Sequence, residues 1–304
     1  MNIKRHTVLF PAAVALAAAT LVAACGSSGT TSSTSSAKPA TTKSAQQVSD
    51  PEVTQREDSN WAGYAVASSK TKNVSFSSVS GDWTQPAVNC SAGSPSDSAF
   101  WVGLGGYTGE HLEQIGTSAD CSADGQAVYS AWYELVPAAE VAVSMTVEPG
   151  DQFSARVAVS GQTVTLSISD LTQNTTVSRK LHMSSPTVSS AEWIAEAPSE
   201  CDSSSAQDCR ILPLADFGSV RFTDADASAA GRSGSITSGL GSVEALTLEA
   251  NPGFGRMFVA SAQADASAEP LSGSGASFSV NWVQPQPQVP APTVVVVASG
   301  PFFH

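Results

Sequence analysis

Hydrophobic residues along this chain alternate with polar ones at a period of two, in short runs separated by Gly, Ser, Asp and Pro. On this pattern residues 60–66, 74–84, 101–104, 112–116 and 128–136 read as strands, and 153–160 and 163–170 form a meander around Gly161 and Gln162. Further runs cover 141–147, 175–183, 188–197, 214–224 with a break at Gly218, 245–249, 256–260 and 276–283. No stretch sustains a helical period. Many short strands with polar turns predict an all-β fold, an antiparallel two-sheet β-sandwich of the concanavalin or jelly-roll kind. The domain is expected to span 59–283.

Strand parity sorts the polar residues by face. In 128–136, Trp132 and Glu134 share one face while Ala131, Tyr133 and Leu135 share the other. Gln114 points with Leu112, and Glu113 points away. In 188–197, Glu192, Ile194 and Glu196 face one way, opposite Ala191, Trp193 and Ala195. Aromatic bulk beside a carboxylate on one face fits a lined cleft better than a plain core. A glutamate among apolar strand residues is costly to bury as an anion, so its pKa rises and it suits general acid/base work. On periodicity alone, a solvent-facing place at a sheet edge accounts for Glu192 better.

The flanks differ from the domain. Residues 1–24 carry Lys4 and Arg5, an apolar run at 8–19 and a small-residue site at Val22-Ala23-Ala24, which together read as a signal peptide. Cys25, followed by Gly26 and Ser27, resembles the lipidated cysteine of a bacterial lipobox, with Val22 where a leucine is usual. Residues 25–58 are rich in Ser, Thr, Ala and Gln and are expected to be a flexible tether, and 284–304 a Pro/Val-rich tail. These features predict a protein that is secreted or held on the outer face of a bacterial membrane by its lipid alone.

The formal charge of −13 argues against a nucleic-acid partner, which calls for a basic footprint. Setting Cys25 aside leaves four cysteines. Cys201 and Cys209 are close enough to bridge one loop, which leaves Cys90 with Cys121. The spacings do not fit a zinc cluster, and no other metal or cofactor is expected. Gly103, Gly105, Gly106 and Gly109 are not followed by a helix or a G-K-[ST], so a phosphate loop is excluded. Outside the leader, only His111, His182 and His304 could serve a serine nucleophile.

Six motifs then occur in order: Asn60-Trp61-Ala62-Gly63, Trp101-Val102-Gly103, Gln114 in a Leu-Glu-Gln-Ile-Gly run, Ala131-Trp132-Tyr133-Glu134, residues 191–196 (AEWIAE) and residues 215–220 (ADFGSV). Together they resemble the glutamic peptidases, or eqolisins, over about residues 59–223. The resemblance implies an endopeptidase of bent β-sandwich fold, usually acid-active, acting on peptides or unfolded proteins. The family's catalytic glutamine falls on Gln114 and its glutamate on Glu192, while Trp101, Trp132 and Glu134 match residues around its cleft. In that family the glutamate activates a water as base and then protonates the leaving amine, and the glutamine amide steadies the oxyanion. Neither a metal nor a covalent intermediate is implied. Three departures bear on the cleft: Leu104-Gly105-Gly106 replaces a segment with an aspartate, Glu113 an apolar residue, and Leu135 a second tryptophan.

Two other readings compete. One is a non-catalytic sandwich that binds peptide or glycan in the same aromatic groove. The other is a glycosidase using Glu134 and Glu192, for which their separation is decisive. A glycosidase has no need of Gln114. Nothing in the sequence points to an oligomer, so a monomer is expected.

Overall fold

A computed structural model of the protein describes residues 52–69, 73–201, 209–249 and 264–284. Among these, every regular element is a β-strand. The first half contains β1 (Val53–Asp58), β2 (Trp61–Ala67), β3 (Phe76–Thr84), β4 (Ala99–Leu104), β5 (Leu112–Cys121), β6 (Ala127–Val136), β7 (Val141–Val143), β8 (Gln152–Ser160) and β9 (Thr163–Asp170). The second half contains β10 (Thr175–His182), β11 (Ser190–Glu196), β12 (Ser199–Cys201), β13 (Cys209–Ile211), β14 (Ser219–Ala229), β15 (Arg232–Ser235), β16 (Ser242–Leu248), β17 (Asp265–Ala268) and β18 (Phe278–Val283).

The strands form one hydrogen-bonded path, β10-β9-β8-β3-β14-β18-β17-β16-β2-β11-β4-β5-β6-β7, with β1 beside β16 and β15 beside β14. Strands β12 and β13 pair separately. The path doubles back at β16 and β17, so that β3 and β8 lie against β4, β5 and β11. Two layers result. This is the expected β-sandwich, made from a single sheet folded on itself.

Alternation explains the layers. Strand β9 buries Val164, Leu166 and Ile168 and leaves the residues between them part-exposed. Strand β11 sends Ala191, Trp193 and Ala195 into the interior shared with Phe76, Val79 and Phe222. Two indoles tie the layers through polar bonds: Trp193 Nε1 donates to the Ser80 carbonyl at 2.7 Å, and Trp83 Nε1 donates to Thr117 Oγ1 at 2.9 Å. A buried indole without such a partner would carry a desolvation cost.

Several expected boundaries move for physical reasons. Residues 53–58, expected in the tether, form β1 and pair parallel to β16 in register from Val53↔Val243 to Asp58↔Leu248. Their polarity hid them, because an edge strand needs backbone partners more than apolar side chains. Strand β5 runs past Gly116 to Cys121 because Thr117 finds a buried partner in Trp83. The strand expected at 214–224 begins only after Gly218, whose φ of +64° interrupts the extended chain. The run at 141–147 shortens to Val141–Val143, and β15 and β17 were not foreseen.

Cys90 and Cys121 form the expected disulfide, with Cα atoms 5.4 Å apart. It fastens the loop before β4 to the end of β5. Cys201 and Cys209 stand opposite each other across β12 and β13, but their side chains lie outside the described residues. So do the expected leader, Cys25, the run at 256–260 and the tail from 285 onward.

The Trp193 tie predicts a graded response. Trp193→Ala should cost about 3–5 kcal/mol of stability in urea unfolding, the range for removing a large buried aromatic. Trp193→Phe should cost less, because it keeps most of the ring volume and loses only the bond to Ser80.

Candidate active site

The sheet β16-β2-β11-β4-β5-β6 is in register along a single row. Glu192 stands opposite Ala65 on one side and Gly103 on the other. Gly103 is opposite Gln114, and Gln114 is opposite Glu134. Ala65 is in turn opposite Glu244. Residues paired across strands share a face, so this row presents four polar side chains on the side away from the core. Ile194, Trp101 and Trp132 follow in the next row. With Ala65, Leu112 and Leu246 they form a second apolar cluster, against which Trp61, Tyr107 and Val136 pack.

Glycine makes the row possible. A Cβ on Gly103 would come within 2.9 Å of both Leu112 Cδ1 and Trp101 Cζ3. Those two side chains therefore pack over Gly103, and Glu192 and Gln114 stand on either side of it, two strand spacings or roughly 9–10 Å apart between Cα atoms. That distance lets two side chains converge on one small group from opposite sides.

Glu192 is wholly buried in the middle of the sheet, not at an edge facing solvent. Its Oε1 accepts the Tyr107 amide N–H at 3.3 Å, whereas Oε2 has no partner. Burial pushes this carboxyl up to about 8, against the opposing pull of the Ser190 hydroxyl and the Tyr107 and Gly105 amides; the charge of nearby Glu113 adds to the rise. Gln114, 4% exposed, donates from Nε2 to Glu134 Oε2 at 2.6 Å, and its Oε1 is unpartnered. Glu134 is half-buried and raised, chiefly by burial, with the Gln114 bond pulling the other way. The row thus brings an unpartnered carboxyl oxygen and an unpartnered amide oxygen to the same stretch of sheet.

Two further carboxyls belong to this neighbourhood. Glu196 shares the face of Glu192 and accepts from Trp101 Nε1 at 2.7 Å and from Asn60 Nδ2 at 3.0 Å, and burial raises it to about 8. Glu113 points to the other face of β5. There its Oε1 accepts the Thr187 amide at 3.0 Å, its Oε2 is unpartnered, and burial raises it to about 7.

The tryptophans play a different part from the expected one. Trp101 has no exposed surface and Trp132 only 3%, so both form the floor of the site and present no open ring to a ligand. Trp101 supports Glu196 and meets Trp61 edge to face, with centroids 5.0 Å apart. Tyr107, Trp61 and Glu244 complete the face and were missed as site residues. Trp61 had a legible signal in its Asn-Trp-Ala-Gly motif; Tyr107 acts through its backbone, which no side-chain pattern reveals. Two surface hollows, one by Arg156 and Asp226 and one by Met145 and Gln173, contain none of these residues. Among the described residues, no group of three or more His, Cys, Asp or Glu side chains is placed to hold a metal ion.

Residues 59–252 match the Peptidase A4 family. The chain belongs to that family, the glutamic peptidases. It is 32% identical over 202 residues to Aspergillopepsin-2 of Aspergillus niger, a match covering 57% of this chain and 65% of that protein. It is 31% identical over 188 residues to Scytalidopepsin B of Scytalidium lignicola, covering 59% of this chain and 67% of the relative. The chain therefore spans about two thirds of the length of these curated relatives. A solved scytalido-glutamic peptidase with a peptide-based transition state analog superposes with a TM-score of 0.57 at 25% identity, covering 74% of this chain and 99% of that one. The β-sandwich is thus the glutamic peptidase fold.

The raised carboxyls fix the sign of the stability profile. Glu113, Glu192 and Glu196 hold their protons to about 7, 8 and 8 when folded, against an ordinary value of 4.5. Between 4.5 and those values the folded chain binds more protons than the unfolded one, so stability must fall as pH rises, by about 1.4 kcal/mol per unit for each group. Thermal unfolding should show a higher Tm at about pH 4 than at about pH 8, and Glu113→Gln should flatten the slope.

Proposed function

We propose that this protein is an endopeptidase that hydrolyses peptide bonds with Glu192 and Gln114, using no metal and no covalent intermediate. The observation that carries the proposal is the pair of unpartnered oxygens, Glu192 Oε2 and Gln114 Oε1, on side chains of one row that flank Gly103. The peptide-based transition state analog held by a solved relative supports a peptide as substrate.

The two oxygens differ in kind. With Oε1 occupied by the Tyr107 N–H, the neutral Glu192 carboxyl carries its proton on Oε2, as a donor. Gln114 Oε1 is an acceptor, because its Nε2 is held by Glu134. Glu192 therefore acts first as an acid, the reverse of the order the family resemblance implies. Its Oε2 proton passes to the scissile carbonyl oxygen while a water steadied by Gln114 Oε1 attacks the carbon. The carboxylate so formed takes a proton from that water, leaving a neutral tetrahedral diol. Glu192 then protonates the leaving nitrogen; the C–N bond breaks and the new carboxylic acid returns a proton to Glu192. The second hydrogen on Gln114 Nε2 is free to steady oxygen charge.

A two-carboxylate glycosidase does not fit. Its carboxyl groups lie about 5–9.5 Å apart across open space, whereas Glu192 and Glu134 are three strands apart with Gln114 between them.

Cleavage of an unfolded protein from about pH 3 to about pH 9, with pepstatin and a chelator present, tests the assignment. Glu192→Gln should lose at least about 100-fold in kcat, the usual scale for an acid/base group, and Gln114→Ala a comparable amount. Because the protonated carboxyl is the active form, kcat/KM should be held into the acid range and fall above about pH 8, following the burial-raised value of Glu192. A folded wild-type protein inactive throughout would favour the binding-sandwich reading. Full activity in Glu192→Gln would remove the pair.

Export and lipid attachment at Cys25 form part of the same proposal, supported by the Val22-Ala23-Ala24-Cys25-Gly26 run. Radiolabelled palmitate fed to expressing bacteria should enter the wild-type chain and not Cys25→Ser. Equal labelling of the two would refute lipidation.

A further inference from the structure

Strand β1 precedes the residues matched to the family, 59–252, yet it reaches the functional face. Arg56 is in register with Leu246 of β16, a member of the apolar cluster beneath the site. Its Nε donates to Glu244 Oε2 at 3.1 Å, with the arginine side chain 55% exposed and the glutamate 10%. Glu244 and Glu192 flank Ala65 in the same row. Ala65 is small and fully buried, and Tyr107 packs against the cluster to which it belongs. The Tyr107 hydroxyl pairs with Arg56 and feels the charge of Glu244, while its own backbone N–H donates to Glu192 Oε1.

The loop that carries Tyr107 needs such anchors. It contains Gly105, Gly106 and Gly109, with Gly105 at φ +109°, and glycine backbone is the most costly to order. One anchor is the Thr108 hydroxyl, 2.6 Å from Ser189 Oγ. The Gly105 amide adds a bond to the Ser190 carbonyl at 3.1 Å. These hold the loop to the start of β11 but leave the Tyr107 ring to be fixed from the other side. Arg56 is the polar group placed to do so, and Glu244 holds Arg56 in turn.

We propose that Arg56 is a positioning residue for Glu192: steadied by Glu244, it holds Tyr107, and hence the Tyr107 N–H, on Oε1, leaving Oε2 as the oxygen that exchanges a proton. The catalytic unit then begins at β1, before the family match. The inference rests on Glu192 being the acid/base group. The titratable and charged groups around this arrangement are Glu113 from β5, Glu244 from β16, and Arg56 and Asp58 from β1. Losing the amide bond removes an interaction that favours the Glu192 carboxylate, so its titration must move to higher pH.

The test uses the full-length protein with 13C-carboxyl-labelled glutamate, the Glu192 signal being assigned by its absence in Glu192→Gln. In Arg56→Gln and in Tyr107→Phe, the Glu192 titration should move up by about half a unit or more, the scale of one weakened hydrogen bond to a carboxylate. The double variant should move no further than either single one, and Arg56→Lys should restore part of the shift. In peptide cleavage, kcat of Arg56→Gln should fall about tenfold with KM changed less than about twofold, the mark of a misplaced catalytic group. An unmoved Glu192 titration in both single variants would overturn the proposal, whatever happens to Tm. So would additive shifts in the double variant. Because the titration is read without turnover, an inactive wild type would refute the peptidase reading and still leave this inference tested.

Discussion

The in-register pairing of β11, β4, β5 and β6 is the constraint on which the rest of this molecule depends. A slip of one residue in any of these pairs would send Glu192 or Gln114 to the opposite face. The register is held by what lies on that opposite face. Trp193 reaches across the interior to Ser80, and Trp83 reaches back to Thr117, so the polar row and the interlayer bonds are set by the same strands. Gly103 then does by omission what no side chain could: it lets Trp101 and Leu112 pack directly over β4 between Glu192 and Gln114.

Such a site works against stability near neutral pH. A carboxyl is useful as an acid there only if burial has displaced its titration, and the same displacement makes the folded state lose ground as solution pH rises. Glu192 is not alone in this. Glu196 and Glu113 share the penalty, one satisfied by Trp101 and Asn60, the other bonded through a single oxygen. With so many protonated carboxyls in and behind one sheet, the fold is favoured on the acid side of neutrality. The stability of the fold and the proposed acid chemistry therefore rest on the same burial of carboxyls.

What could be read from the sequence was parity. The facing of Trp132 with Glu134, and of Glu192 with Ile194 and Glu196, follows from a period of two and holds in the structure. Position within the sheet could not be read that way. Periodicity favoured a solvent-facing edge for Glu192, because alternation says which side a residue faces but not how many strands flank it. Burial of Trp101 and Trp132 was hidden for the same reason, since an aromatic on the functional face can be either lining or floor. Strand β1 escaped because its residues are polar and its pairing is made by the backbone. The order of sequence motifs supplied what parity could not, a resemblance that singles out Gln114 and Glu192, which the register then puts in one row.

Glu113 shows how the two faces of β5 are coupled. It is adjacent to Gln114 but turned inward, where it accepts the amide of Thr187. Thr187 in turn packs on Gly105 and Gly109 so closely that a Cβ on either would collide with it. The loop bearing Tyr107 is thus gripped from behind by a segment that Glu113 holds, and it reaches Glu192 in front. Backbone amides carry both contacts. A cationic partner would pull a carboxyl's titration down strongly, whereas the neutral amide and hydroxyl groups around Glu192 leave burial in control. An acid that must keep its proton is better supported by a backbone N–H than by an arginine, and in this molecule Arg56 stands one step back, on Glu244 and Tyr107 rather than on Glu192 itself.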